Sequence, residues 1–194
     1  MRTQEIPIFP LGTVLFPAGR LPLRIFEPRY VDMTRRCIAD DAPFGVCLIR
    51  GGYETGVPAI PWPTGCSARI AEWDVPGAGL FTIVAEGETV FRIRSRRTTM
   101  TGLIIAEIEW CEAPAPMPVP DRHASLVNLL RSLIDDIGAE RFPAPPRFED
   151  AGWVGCRLAE LLPVVPERKQ ALLELDDPLQ RLDALTGLIK TLRD

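Results

Sequence analysis

The pattern of hydrophobic positions along the chain changes near residue 112. Before that point, short apolar runs are bounded by glycine and proline, as in β-strands joined by turns. The pattern predicts strands over Glu5–Phe9, Thr13–Leu15, Leu21–Ile25, Phe44–Ile49, Thr64–Asp74, Leu80–Ala85, Thr89–Ser95 and Gly102–Trp110. One helix interrupts them, over Pro28–Ala39, with a proline at its first position and apolar residues at helical spacing.

The last two predicted strands form a hairpin whose register can be stated in advance. A turn at Thr98–Thr101 would bring the apolar residues of both strands to one face and opposite charges to the other. The predicted pairs are Phe91 with Ile108, Ile93 with Ala106 and Arg92 with Glu107.

Beyond residue 120 the apolar residues recur with the period of an α-helix. The predicted helices are Asp121–Ile137, Ala151–Leu162, Pro166–Leu175 and one that begins at Pro178, with Asp177 as its N-cap. Successive amphipathic helices of this kind predict a small bundle.

A proline-rich segment, APAPMPVP, separates the two patterns. It has too many prolines for a helix or a central strand, because proline lacks the backbone donor that both need. We therefore predict an α+β protein with a β-rich subdomain at 1–112, a linker at 113–120 and a helical subdomain at 121–194.

Composition limits the partners and the chemistry. The chain of 194 residues carries 22 Lys+Arg against 26 Asp+Glu, a net charge of −4, and this balance disfavours a nucleic-acid partner. The 5 cysteines are far apart and there is 1 histidine, so neither a zinc site nor another metal or cofactor site is predicted. No targeting segment or membrane-spanning apolar run is evident, which predicts a cytoplasmic protein with no membrane partner.

The sequence offers no catalytic arrangement. It lacks a phosphate-binding loop, a dinucleotide fingerprint, a zinc-protease motif and a nucleophile elbow. The single histidine, His123, lies at the start of a predicted helix, where we expect a surface or capping residue. The two lysines, Lys169 and Lys190, fall on the C-terminal helices and suggest no serine-lysine pair. We therefore predict that the chain is not an enzyme and has no catalytic residues.

Three blocks near the N-terminus carry a resemblance to a known family. They are PIFPLGTVLFP at Pro7–Pro17, PLRIFEPRY at Pro22–Tyr30 and FGVCLI at Phe44–Ile49. Together they resemble the opening of the Lon substrate-binding domain family, and Glu167–Arg181 resembles the tail of its stand-alone bacterial members. The resemblance implies a PUA-like bent β-barrel or sheet with one inserted helix, followed by a helical bundle. In full Lon proteases the ATPase and peptidase activities belong to other domains, so the resemblance implies neither activity for this chain.

Within the IFEPRY block we expect structural roles. Phe26 and Tyr30, with Ile25, are expected in the core, since aromatic and β-branched residues at a strand-to-helix junction are usually buried. Glu27 and Arg29 are expected to pair with a charge or to satisfy backbone donors inside the turn.

Three other aromatic residues are candidates for contact with a bound peptide, namely Tyr53, Trp62 and Trp73. Trp62 lies in the loop VPAIPWPTG, where flanking prolines stiffen the backbone and could hold the indole outward. Packing of Trp62 over the end of the barrel is an equally good interpretation.

Two functions remain open from the sequence. The first is a non-catalytic module that binds peptides or unfolded proteins, as an adaptor or regulator of proteolysis, with a protease or chaperone as a further partner. The second is a PUA-like RNA-binding protein, for which Arg92, Arg94, Arg96 and Arg97 would supply a basic edge. Salt dependence distinguishes them, because binding to phosphates weakens steeply with salt. The oligomeric state is not predicted.

Overall fold

The computed structural model describes residues 3–56, 59–77 and 79–193. The chain divides into two compact units, Met1–Glu112 and Ala113–Asp194, which we call the barrel unit and the helical unit. In the described part of the barrel unit the elements are β1 (Thr3–Leu11), β2 (Arg20–Ile25), α1 (Pro28–Asp40), β3 (Phe44–Gly51), β4 (Ile60–Pro61), β5 (Thr64–Gly77), β6 (Leu80–Thr98) and β7 (Ile104–Trp110).

The sheet of the barrel unit closes on itself. Antiparallel pairings join β1 to β7, β7 to β6, β6 to β5 and β5 to β3, and a parallel pairing of β3 with β1 completes the circle. The long strand β6 makes this possible, because its second half pairs with β7 while its first half pairs with β2 outside the circle. Closure leaves the strands of the barrel with few free edges.

Two apolar clusters fill the barrel unit. The larger cluster contains α1, whose Tyr30 and Met33 are 3% and 2% exposed, and the ring of Tyr30 stacks on Phe9 at 4.1 Å. The smaller cluster is centred on Phe91 and Ile108, which are fully buried. The inserted helix therefore packs into the core of the barrel unit.

In the helical unit, a short 3-10 helix (Asp121–His123) leads into α2 (Ala124–Ile137), and a second one (Ala139–Arg141) precedes α3 (Ala151–Leu161), α4 (Pro166–Leu173) and α5 (Pro178–Arg193). The predicted cap at Asp177 forms, since its side chain accepts from Leu179 N at 2.8 Å, and Asp150, which was not predicted as a cap, accepts from Gly152 N at 3.0 Å. The C-terminal ends predicted for α1 to α4 lie within two residues of the observed ends, and the start predicted at Asp121 falls on the 3-10 helix before α2.

The proline-rich segment is attached to the helical unit. Ala151 N donates to the Met117 carbonyl at 2.7 Å, and Val119 N donates to the Glu149 carbonyl at 3.1 Å. These bonds hold the second half of the expected linker against the start of α3.

Some strand predictions were wrong. Thr13–Leu15 forms no strand, although Val14 and Leu15 are buried at 8% and 3% exposure. The runs Leu80–Ala85 and Thr89–Ser95 belong to one continuous strand, β6, and the short strand β4 was not predicted.

The predicted hairpin register was also wrong, by two residues. Ile93 pairs with Ile108, and the register then shifts between Ile93 and Ser95. The turn lies further along the chain than expected because it includes Gly102. This glycine has a φ of 84°, a left-handed conformation that favours glycine. A shift of two residues preserves the faces, so the apolar side chains remain inside. The observed pairs are Phe91 with Trp110, Arg92 with Glu109, Ile93 with Ile108 and Ser95 with Glu107.

His123 was expected to be a surface or capping residue; it occupies the N-cap position of α2, but its side chain makes no capping hydrogen bond and is not on the surface. It is 3% exposed, and its Nε2 lies 3.0 Å from Asp183 Oδ1 on α5. The position continues the apolar stripe of α2, with buried Leu126 and Leu130 three and seven residues further on, so the helical period turns the ring inward.

Candidate functional site

An open groove crosses the outer part of the sheet where β2, β6 and β5 run side by side. Its volume is about 530 Å³. Each strand contributes three consecutive residues, which are Pro22, Leu23, Arg24, Glu72, Trp73, Asp74, Thr82, Ile83 and Val84. We call it the Trp73 groove. The strand register aligns Leu23 with Ile83 and Ile83 with Trp73, so three apolar residues lie in one row across it.

Trp73 is exposed because β5 extends beyond the barrel. The residues of β5 are buried from Thr64 to Ala68 and exposed from Ala71 to Gly77, where β5 and β6 form an arm. The indole of Trp73 is 55% exposed on this arm, and Val75 beyond it is 45% exposed. An exposed aromatic side chain beside an apolar floor can bind apolar side chains of a partner.

A second, smaller pocket adjoins the Trp73 groove. Its volume is about 230 Å³, and it is lined by Phe9, Leu11, Pro22, Leu23, Arg24, Ile25, Phe26, Glu27, Tyr30, Glu54 and Thr55. We call it the Glu54 pocket. Because Pro22, Leu23 and Arg24 line both, the two concavities adjoin at β2. The loop that carries Glu54 is held in place by Gly12 N, which donates to Glu54 Oε1 at 2.5 Å.

The IFEPRY block supplies part of this pocket. Arg29 is 7% exposed, its Nη2 lies 2.8 Å from Glu27 Oε2, and its Nη1 donates to the Gly102 carbonyl at 3.2 Å. The ion pair is the arrangement expected for Glu27 and Arg29. Tyr30 is buried as expected, and burial is the main cause that raises the pKa of its phenol. Phe26 departs from expectation, because its ring is 62% exposed at the mouth of the pocket.

The structure separates the three aromatic residues proposed as peptide contacts. Trp73 lines the groove, while Tyr53 is 83% exposed on the loop that carries Glu54. Trp62 lines neither concavity; it is half-buried, and its backbone N–H donates to the Leu48 carbonyl at 2.8 Å. Val57 and Pro58, the first residues of the proline-rich loop around Trp62, lie outside the described residues.

Sequence reasoning missed Phe26 and Glu54 as surface residues of this site. A weak signal existed for Phe26, since Arg24 and Phe26 alternate with the inward Leu23 and Ile25 along β2. For Glu54 there was no signal, because its neighbour Gly12 lies 42 residues away in sequence.

Two of the four arginines of β6, Arg94 and Arg97, are engaged with acidic side chains. Arg94 forms an ion pair with Glu109 on β7, and Arg97 Nη1 lies 2.5 Å from Glu5 Oε1 on β1. Such pairing reduces the positive potential that a phosphate backbone would need.

Reactive groups do not converge in the described structure. Among residues 3–56, 59–77 and 79–193, no group of three or more His, Cys, Asp or Glu side chains could hold a metal ion. Burial raises the pKa of the Cys37 thiol to about 11, and it also raises that of Cys156. Within the same residues, no helix has both the length and the apolar character needed to cross a membrane.

Fold and surface together define the class: an α+β protein whose β-barrel bears an open groove with an apolar floor. The match to a family model is specific. Residues 5–191 match the ATP-dependent protease La (LON) substrate-binding domain, and the chain belongs to this family.

Relatives and solved structures agree with this assignment. The chain is 27% identical to the Lon protease of Paraburkholderia phytofirmans and 25% identical to Lon protease 2 of Myxococcus xanthus. Each match covers 98% of this chain, but the chain spans only 26% and 24% of the length of these relatives.

Two solved structures share the fold. One is the Lon N-terminal domain protein from Xanthomonas campestris, with a TM-score of 0.80 and 34% identity over 95% of this chain and 98% of that one. The other is the N-terminal domain of the Mycobacterium avium complex Lon protease, with a TM-score of 0.64 and 17% identity over 95% of this chain and 97% of that one. The α+β class predicted from the sequence, with a bent barrel followed by helices, is confirmed.

Proposed function

We propose that this chain binds apolar segments of other polypeptides through the Trp73 groove and performs no chemistry on them. The observation that carries the proposal is the indole of Trp73, which is 55% exposed in the open groove. In register with it lie Ile83, which is 3% exposed, and half-buried Leu23, and these two residues form an apolar floor. Leaving a large aromatic side chain in water forfeits the free energy of burying it, and a partner that covers the ring recovers that free energy.

The dimensions of the groove support a polypeptide segment as the ligand. A volume of about 530 Å³ suits a few side chains. The groove is open along its length, so a segment can enter without its ends being free. An apolar contact of this kind tolerates varied sequences, as capture of unfolded proteins requires.

In this proposal the bound polypeptides are those destined for ATP-dependent proteolysis. Support comes from the family, whose description names substrate binding, and from relatives that are named Lon proteases. Peptide-bond cleavage and nucleotide hydrolysis would then belong to a partner protease, and this chain would act as the recognition module. Tyr53, which projects from the loop beside the Glu54 pocket, remains a predicted peptide contact, and Trp62 remains a weaker one.

RNA binding is the alternative that the same assay tests. It finds less support, because Arg94 and Arg97 are already paired with carboxylates. Phosphate binding predicts that affinity falls steeply between about 0.05 and 0.5 M salt, whereas apolar capture predicts little change.

The decisive experiment compares two alanine substitutions on the same arm. A labelled synthetic peptide with a central run of leucine, phenylalanine and isoleucine would be titrated with protein, and the fluorescence anisotropy followed. We expect Trp73→Ala to weaken binding by about 1–2 kcal/mol, roughly five- to thirty-fold. Val75→Ala is the matched control, since Val75 is exposed on the arm but does not line the groove. Equal affinities of the two variants, or tighter binding of RNA than of the peptide, would refute the proposal.

A further inference from the structure

The Glu54 pocket differs in chemistry from the Trp73 groove that it adjoins. Its walls include the exposed ring of Phe26 and the buried ring of Tyr30. Its polar groups are the carboxylates of Glu27 and Glu54 and the hydroxyls of Tyr30 and Thr55. The volume of about 230 Å³ is below that of pockets for drug-sized ligands, so it suits one side chain.

The two carboxylates are not equivalent. Glu27 is already paired with the guanidinium of Arg29 at 2.8 Å. Glu54 accepts a hydrogen bond from Gly12 N through Oε1, but within the described part of the chain it has no cationic partner. Its Oε2 therefore remains available to a cation.

Arg24 lines the pocket but does not neutralise it. Along β2, Leu23 and Ile25 pack toward the barrel core, and side chains of a strand alternate between faces. Arg24 and Phe26 therefore share the other face of β2, and in the described part of the chain no ion pair joins Arg24 to Glu27 or Glu54.

A second observation is independent of the acids. Tyr30 is 3% exposed and lines the pocket, yet its hydroxyl forms no hydrogen bond with any residue that the structure describes. The ring is buried, but the hydroxyl oxygen is not among the buried polar atoms that lack a partner, so it keeps some contact with solvent and is open to a donor on a ligand. Tyr30 can accept a hydrogen bond from a donor held by Glu54, because both groups face the same small volume.

We propose that the Glu54 pocket binds the basic side chain of a lysine or arginine that lies beside the apolar run held in the Trp73 groove. A cationic head would contact Glu54 Oε2 and the Tyr30 hydroxyl, and its aliphatic stem would lie against Phe26. The preferred ligand is therefore an apolar segment flanked by a basic residue. The inference rests on the proposed function, since it names the substrate class of the same surface.

Three matched peptides test this. Each carries the same apolar run, and one neighbouring position holds lysine, methionine or glutamate, with the position moved to either side of the run. We expect the unchanged protein to bind the best lysine peptide about five-fold more tightly than its methionine counterpart, and the glutamate peptide most weakly. The preference should shrink in high salt.

Variants of the protein assign the preference to the pocket. Glu54→Gln keeps the size and the acceptor for Gly12 N, and we expect it to bind lysine and methionine peptides equally. Asp135→Asn, which removes an exposed carboxylate on α2, should keep the preference intact. Tyr30→Phe removes only the hydroxyl, and we expect it to reduce the preference about two-fold. Circular dichroism of each variant shows whether it is folded.

The outcomes separate the two proposals. Equal binding of lysine and methionine peptides by the unchanged protein, with binding still weakened by Trp73→Ala, would overturn the basic pocket and leave apolar capture standing. A lysine preference that survives in both Glu54→Gln and Tyr30→Phe would do the same. Failure of all three peptides to bind would overturn both.

Discussion

The ion pair between Glu27 and Arg29 offers a sharp test of what holds the start of α1. Only 5% of the Arg29 side chain and 19% of the Glu27 side chain is exposed, and the pair distance is 2.8 Å. The guanidinium also donates to the Gly102 carbonyl and lies 4.7 Å from the centre of the Tyr30 ring. Removing Glu27 would leave a buried cation with one carbonyl and one ring as its partners.

Glu27→Ala is therefore expected to reduce the free energy of unfolding by about 3 kcal/mol, the low end for breaking a buried pair, because Glu27 keeps some contact with water. Helix capping does not add to this, since the Glu27 side chain makes no capping hydrogen bond. Combining Glu27→Ala with Arg29→Met removes both charges and retains an apolar stem, so the double variant should lose only about 1 kcal/mol.

Urea denaturation followed by tryptophan fluorescence measures these changes. Asp32→Ala is the control, because its pair with Arg35 is exposed, with about 59% and 58% of the two side chains in solvent, and the expected loss is below about 1 kcal/mol. If Glu27→Ala and Asp32→Ala cost the same, or if the double variant is as unstable as the sum of its single changes, the buried pair does not carry the free energy assigned to it.

Two further predictions concern the barrel unit. A Cβ at Gly87 would overlap the carbonyl oxygen of Phe16, a backbone atom, so Gly87→Ala should destabilise by about 3 kcal/mol in urea denaturation, whereas Gly77→Ala, with nothing within 4 Å, should be close to neutral. Comparable costs for the two alanines would contradict this. Because burial raises the pKa of Cys37 from its ordinary value of 9.0 to about 11, the folded state keeps a proton there that the unfolded state loses, and the free energy of unfolding should fall as pH rises from 9.0 to about 11. Cys37→Ala should lessen that fall, and an unchanged pH profile in this variant would count against the assignment.

The helices were predictable because their signals are local. Proline at the first position and an apolar period of 3.6 mark both α1 and α5, and an aspartate cap directly precedes α5. The same locality explains the error at His123. Its position in the stripe of α2 was readable, but the carboxylate of Asp183 that accompanies the buried ring comes from another helix.

The strands were less predictable because a glycine can mark either a turn or a close approach. Gly87 suggested a break between two strands, yet β6 continues through it. The glycine is there because the Phe16 carbonyl lies against its Cα, and Gly87 N donates to Gly19 O at 2.9 Å. The apolar residues at 13–15 show the opposite error: they were predicted as a strand, but they are buried by packing and form no strand hydrogen bonds. Neither case can be told from one segment alone.

The candidate site shows the same division between local and long-range information. Trp73 could be selected from the sequence as a large aromatic residue among charges, and the ion pair of Glu27 with Arg29 follows from two residues in one turn. The Glu54 pocket could not be predicted, because it forms where a loop after β3 meets β2 and the segment around Gly12. Contacts between distant segments define the pocket, and a single sequence carries no record of them.

The sheet around the groove also bears on how a segment would be held. β2 pairs with β6 along one edge, and in the described structure its other edge has no strand partner. Pro22 lies in the middle of β2 and has no N–H to offer there, so an added strand would lose a donor at the centre of the edge. Binding through side chains in the groove and the pocket avoids that loss. Affinity then depends on which apolar and basic side chains a segment carries, and little on backbone hydrogen bonds between the segment and β2.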